Sequence, residues 1–147
     1  MSLENKLLSD MKESLRRGDK LRLSTIRLAR AAIKNKEIEL RKKPSEDEIL
    51  GVLSSLGKKY KESIEQYKSG GRDDLAHKEE AELAVLQKYL PKPLEEKELY
   101  EMVEEVIAEV KAENKADFGK VMGLIMPRIK GRAEGQTVKE VVLKKLS

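Results

Sequence analysis

Cysteine is absent from the 147-residue chain, which excludes disulfides, thiolate nucleophiles and cysteine-ligated zinc together. Histidine is nearly absent: His77 stands alone, so an imidazole-based metal site has no second ring to draw on. Tryptophan is missing, phenylalanine occurs once and aromatics amount to 3% of the chain. Any core is therefore built from Leu, Ile, Val, Ala and Met, a mix that favours helices over sheets. The same scarcity removes a stacking platform for single-stranded bases. No apolar run approaches the ~18 residues of a membrane span, and Met1-Ser-Leu-Glu-Asn-Lys lacks the apolar stretch of a secretory signal. These absences lead to the expectation of a cytoplasmic protein with no membrane partner.

Charge is what the chain has in abundance, at 39% of residues. Met1 to Lys43 holds 13 basic and 6 acidic residues, Pro44 to Asn114 holds 10 and 18, and Lys115 to Ser147 holds 8 and 3. Basic ends thus flank an acidic middle. Two readings follow: basic surfaces facing a polyanion, or an acidic helix neutralising basic ones within the fold.

Apolar periodicity predicts an all-α protein of about seven helices in two small units. Leu3, Leu7, Leu8, Met11 and Leu15 trace a first amphipathic helix that stops at Gly18. Asp19 caps a second, with Leu23, Ile26, Arg30 and Ile33 on one face, and Pro44 ends that run. Ser45 with Glu48 forms a capping box for a long third helix carrying Ile49, Val52, Leu53, Leu56, Tyr60, Ile64 and Tyr67. After Ser69-Gly70-Gly71, Asp73 or Asp74 caps a fourth, which ends before Pro91-Lys-Pro93. The domain boundary is expected there, giving a four-helix domain over 1–92 and a three-helix domain over 93–147. In the second, Leu99, Val103, Val106, Ile107 and Val110 line one helix, Asp117 caps the next, and Val138, Val141, Val142 and Leu146 line the last. Pro127 should kink or tighten the sixth helix.

No catalytic constellation emerges. Gly51 to Lys59 is only superficially a phosphate-binding loop: its glycines are one residue too far apart, Lys59 replaces the needed hydroxyl, and the stretch is mid-helix. Close helix packing explains those glycines better. His77 lies among Lys78, Glu79 and Glu80 on a polar face, as a solvated residue would. Paired carboxylates such as Glu104 and Glu105 belong to an acidic helix surface. No catalytic residue, metal or cofactor is therefore expected.

The stretch from Gly119 to Gly135 is different, holding four of the nine glycines. Gly119 and Gly123 share a helix face where a missing side chain permits close approach, while Gly131 and Gly135 suit a turn. Lys120, Arg128, Lys130, Arg132 and Lys139 surround them, a basic set able to track a phosphate backbone or to complement helix C-termini.

The run Lys115-Ala-Asp-Phe-Gly-Lys-Val-Met-Gly-Leu-Ile-Met-Pro-Arg-Ile-Lys-Gly-Arg-Ala-Glu-Gly strongly resembles the signature of the YqeY family, which also ends the GatB component of the glutamine-dependent aspartyl/glutamyl-tRNA amidotransferases. Asp10-Met-Lys, Arg22-Leu-Ser-Thr-Ile-Arg and Tyr89-Leu-Pro extend the likeness to free-standing members. Glu134 and Arg132 stand where the family usually has Asp and Lys; both changes keep the charge, and Glu134 would weaken a short local cap. The resemblance implies a tRNA-binding accessory module whose candidate contacts are the five basic residues above. Carbon-nitrogen ligase activity would belong to the multi-subunit enzyme, since this chain supplies neither a phosphate loop nor a glutaminase nucleophile. The competing expectation is a helical adaptor that docks on an aminoacyl-tRNA synthetase or an amidotransferase component through the Gly119 and Gly123 face.

Overall fold

The computed structural model describes residues 2–129 and 132–147, and over these the chain is all-helical. Seven α-helices are present among the described residues: α1 (Leu3–Arg17), α2 (Lys20–Leu40), α3 (Glu46–Ser69), α4 (Asp73–Gln87), α5 (Glu96–Val110), α6 (Phe118–Ile129) and α7 (Gly135–Leu146), with a 3-10 turn at Lys115–Asp117. They form two compact units, Met1–Pro91 and Lys92–Ser147.

Local chemistry sets most helix ends. Ser2 Oγ accepts from the Asn5 amide at 3.2 Å to start α1, and Gly18 ends it in the left-handed conformation at φ 71°. Asp19 caps α2 through the Arg22 amide at 3.1 Å, and Arg41 closes it at φ 58°. The capping box at α3 is complete: Ser45 Oγ accepts from the Glu48 amide and Glu48 accepts from the Ser45 amide, each at 3.1 Å. Those bonds hold the Glu48 carboxyl below its usual range.

Two expected caps differ. Asp73 and Asp74 lie inside the first turn of α4, whose N-cap is Arg72 with no side-chain bond. Their charge suits the helix N-terminus, and Arg72 grips the Asp74 carboxylate with two hydrogen bonds of 3.3 Å. Asp117 closes the 3-10 turn instead of capping α6. Asn114 accepts from the Ala116 amide at 2.9 Å, and Asp117 accepts backward from the Glu113 amide at 3.0 Å. Pro127 lies inside α6, so the Gly123 carbonyl four residues earlier loses its helical donor; Gly123 is exposed, where water can replace it.

In the first unit, Leu7, Ile26, Ala29, Ile33, Ile49, Leu53, Tyr60, Ile64, Ala76, Leu83, Leu86 and Tyr89 make the core. Gly57 is buried on α3 facing Leu83, Leu86 and Leu90 of the α4 region, and a Cβ there would sit 3.6 Å from Leu90. Gly51 faces open space, so only one of the two glycines serves helix packing. Leu15 and Arg30 depart from their expected inward places. Leu15 is 61% exposed because α1 reaches its last turn there, and Arg30 is exposed and donates to Met11 Sδ at 3.1 Å.

A polar node closes this unit. The buried Tyr89, just beyond α4, donates its hydroxyl proton to Asp10 Oδ2 on α1. Arg22 of α2 reaches Asp10 at 3.5 Å and Glu13 at 3.6 Å, and Ser14 Oγ donates to the Asp10 carbonyl at 2.8 Å. Burial, then the bond to Asp10, raises the Tyr89 phenol well above its ordinary value.

The second unit is smaller. Leu99, Val103 and Val106 of α5 meet Val121, Ile125 and Ile129 of α6 and Val138, Val141, Val142 and Leu146 of α7.

Because Tyr89 keeps its proton in the folded state above the pH at which an unfolded phenol loses it, the stability it confers is complete below pH ~10 and falls as the pH rises further. Tyr89→Phe should cost about 1–2 kcal/mol at neutral pH through the lost bond to Asp10. It should also flatten the alkaline loss of stability, both read by urea unfolding. A variant with wild-type midpoint and wild-type alkaline slope would show that the node does not support the fold.

Candidate nucleic-acid interface

Thr25, Ile26, Ala29 and Ile33 fix the inward face of α2. Lys20, Arg27 and Lys34 consequently lie on the outward side, all exposed, with Arg41 at the C-cap. A spacing of seven residues is two turns to within about 20°, so Lys20, Arg27 and Lys34 run along one side of α2 with a drift of about 40°, and Arg41 follows at the cap, a span of about 30 Å at a rise of 1.5 Å per residue. Arg30 lies beside the row. None of the five makes an ion pair among the described residues, whereas nearby Arg17 and Arg22 are held by Glu13, and Lys36 by Glu39 at 3.6 Å. Leu28 and Ile38 share the same outward surface at 48% and 65% exposure.

The C-terminal basic set is differently placed. Arg128 of α6 donates through both Nη atoms to the Glu109 carboxylate of α5, at 3.2 and 2.7 Å. Each charge favours the other: Arg128 holds the Glu109 carboxyl below its usual range, and Glu109 raises the guanidinium further. Arg132 is a structural clasp. Its Nε donates to the Lys92 carbonyl at 3.0 Å, its Nη2 lies 3.6 Å from Glu98, and its own carbonyl accepts from the Leu94 amide at 2.8 Å. Lys120 is 72% exposed, at 3.9 Å from Asp117, and Lys139 is exposed on α7. Lys130 and Gly131 lie outside the described residues. Lys145 pairs with Glu104, and Lys144 and Lys145 stand over the Tyr100 ring at 5.7 and 5.1 Å.

The glycines separate in the same way. A Cβ at Gly119 or Gly123 would meet nothing within 4 Å, and Leu124 and Met126 nearby are 40% and 36% exposed. Among the described residues nothing packs on that face of α6 within this distance. Gly135 is the first residue of α7, where a Cβ would lie 3.8 Å from Met126 Cε. No group of three His, Cys, Asp or Glu among the described residues is placed to hold a metal ion, and His77 is exposed.

Charge accounting separates the units. Residues 1–91 carry 20 basic and 16 acidic side chains, and residues 92–147 carry 11 of each. In the second unit, Glu109, Glu98 and Glu104 of α5 pair with Arg128, Arg132 and Lys145, the internal alternative of the two readings of the charge pattern, while Lys120 and Lys139 stay exposed. In the first, the α2 row keeps its field. The seven-residue spacing is visible in the sequence; placing Arg30 on the core face concealed it.

Compared with known proteins, the sequence matches the Yqey-like protein family over residues 4–146. The chain belongs to the YqeY family. Three curated relatives match over 85 residues. A protein of Vanderwaltozyma polyspora named altered inheritance of mitochondria protein 41, mitochondrial, is 41% identical over that length, which is 57% of this chain and 46% of that one. Proteins of the same name in Eremothecium gossypii and Saccharomyces cerevisiae are 39% and 34% identical over the same shares of the two chains. The aligned region thus spans about half the length of these YqeY relatives. Their names also correct the expectation of a cytoplasmic protein, since each is named mitochondrial. The missing apolar segments bear on secretion and bilayer insertion, and carry no information about which aqueous compartment holds a protein. Among the described residues no helix is long and apolar enough to cross a membrane.

If Glu109 owes its acidity to Arg128, then Arg128→Gln should move the Glu109 titration upward, toward that of an ordinary carboxylate. Side-chain carboxyl NMR would follow this directly. An unmoved Glu109 would mean that the guanidinium is not seated on it in solution and is available to another anion.

Proposed function

We propose that this protein is a tRNA-binding accessory module that holds the folded RNA by its phosphate backbone, with α2 as the principal contact. The observation that carries the reading is the row Lys20, Arg27, Lys34 and Arg41, with Arg30 beside it: five exposed cations on one outward surface, with no acidic partner among the described residues. Arginine forks and lysine ammonium groups on a rigid helix suit successive phosphates, and shape and backbone recognition needs no aromatic platform. Of the possible polyanions, tRNA is favoured by the likeness of the Lys115 to Gly135 run to the end of the GatB component of the tRNA amidotransferases. Lys120 and Lys139 supply secondary contacts, while Arg128 and Arg132 mainly brace the second unit.

A second reading, a protein adaptor, is favoured by the open Gly119 and Gly123 face with Leu124 and Met126 beside it. Docking there would depend on shape and depend little on salt.

Equilibrium binding to a folded tRNA pool across a salt series discriminates the two. Each phosphate contact contributes a slope of about −0.7 to −0.9 in log K against log salt. Arg27→Ala combined with Lys34→Ala should therefore weaken binding and make the slope shallower by about 1.5. Lys130→Ala combined with Lys139→Ala examines the C-terminal basic residues in parallel and leaves the Arg132 clasp intact. Absence of tRNA binding at low salt would reject the proposal in favour of the adaptor, and binding lost only with the C-terminal pair would move the contact away from α2.

A further inference from the structure

Phosphate binding would use the cations of α2 and leave a second line of its outward residues unused. Ser24, Leu28, Ala31 and Asn35 are all exposed. At about 100° per residue these four fall within about 60° of one another, and Ser24 and Asn35, three turns apart, within about 20° over a rise of about 16 Å. The line runs beside Lys20, Arg27 and Lys34, turned from them by about 70° around the helix axis. Thr25, Ile26, Ala29 and Ile33 take the buried side, so both lines face away from the core.

Every member of the second line is uncharged, and two chemistries alternate along it. Leu28 and Ala31 offer apolar surface. Ser24 and Asn35 carry groups that both donate and accept, which Lys and Arg do not. Among the described residues the side-chain donors of α2 that find an acceptor without charge are Ser24, Thr25 and Arg30; the Asn35 amide is unengaged. The Ser24 hydroxyl donates to the Leu21 carbonyl at 3.3 Å, which leaves its lone pairs to accept from outside.

A polyanion whose phosphates sit on the cations lays on the neutral line whatever adjoins its phosphates. In a nucleic acid that is the sugar, whose carbon-bound hydrogens suit Leu28 and Ala31. Ribose adds the 2′-hydroxyl, donor and acceptor at once, which matches Ser24 and Asn35; deoxyribose has nothing for them. A-form RNA displays these hydroxyls in a wide, shallow minor groove, and α2, packed against α1, α3 and α4, offers the one free side that a shallow groove requires. Unpaired bases find no aromatic ring on this face to stack on. An anionic bilayer would use the cations and Leu28 but would leave Asn35 without a role. We infer that α2 distinguishes RNA from DNA, its cation row lying on the phosphates of a paired A-form stem and Asn35, assisted by Ser24, hydrogen-bonding 2′-hydroxyls in the minor groove. This rests on the tRNA reading for the presence of a nucleic acid, and adds which part of it is held and which residue recognises ribose.

The test is equilibrium binding of the full chain, run beside the tRNA series, to three duplexes of one sequence and about 16 base pairs. They are RNA, DNA, and 2′-O-methyl RNA, which keeps the A form and loses the hydroxyl proton. RNA should bind more tightly than the other two, and Asn35→Ala should weaken RNA binding about two- to tenfold while leaving the others nearly unchanged. The salt slope of that variant should stay wild-type, since no phosphate contact is lost. Arg27→Ala, by contrast, should weaken all three duplexes and make each slope shallower. Asn35 is exposed and Ala is the better helix former, so the change leaves folding intact. Equal binding of RNA and DNA, or an Asn35→Ala loss shared by all three duplexes, would overturn the inference, and tRNA binding that persists beside either result would leave the tRNA reading standing. An Asn35-dependent preference for the RNA duplex in a protein that leaves tRNA unbound would do the reverse. Binding to phosphatidylglycerol vesicles with no duplex bound would reject both and assign the face to a lipid surface.

Discussion

The first unit depends on one hydroxyl. Tyr89 follows α4 at the end of 91 residues of compact chain and donates to Asp10 of α1, which is held in turn by Arg22 of α2. Three segments distant in sequence are thereby tied where an aliphatic core alone would leave their register loose. A buried phenol needs a partner, and a carboxylate beside a guanidinium is a strong one. Asp10 and Glu13 engage Arg22 on one side of the α1–α2 pair, in keeping with the buried face of Thr25, Ile26, Ala29 and Ile33 that turns the other cations of α2 outward.

The two units deal with their charge in opposite ways. In the second, carboxylates on α5 lie across from the cations of α6 and α7, and pairs such as Arg128 with Glu109 consume the field that a partner would feel. Exposed pairs of this kind add little stability, and the apolar faces of α5, α6 and α7 hold the unit together. In the first, acidic residues concentrate on α3 and α4, including Glu80, which pairs with Lys68 at 2.8 Å, and leave Lys20, Arg27, Arg30, Lys34 and Arg41 of the α2 surface without an ion pair among the described residues. The chain's modest net charge therefore conceals one neutral body and one polar in its distribution.

Much of this was legible in the sequence, because helices follow from local periodicity. The stripe from Ile49 to Ile64, the Ser45–Glu48 box and the four inward residues of α7 all lie where spacing places them. Reading failed where a residue's role is decided by a distant one. Arg30 has helical spacing with Ile26 and Ile33 yet is exposed, since its neighbour Ala29 makes the close contact instead. Asp117 is a good cap by type, but Asn114 begins the turn first. The occupation of Arg128 could not be read at all, because Glu109 lies 19 residues away on another helix and any of eight carboxylates on or near α5 would have served equally well on paper. Asp10, Arg22 and Tyr89 each stood in a familiar stretch, with nothing to say that the three would touch.

Arg41 shows where stability and surface charge are set against each other at one residue. It closes α2 with φ 58°, a conformation in which a side chain crowds the backbone and glycine does not. Glycine at that position would relax the turn by about 1 kcal/mol and delete the last cation of the row. The helix instead ends under local strain with its guanidinium in place, so the length of the charged surface is maintained at the expense of its most relaxed ending.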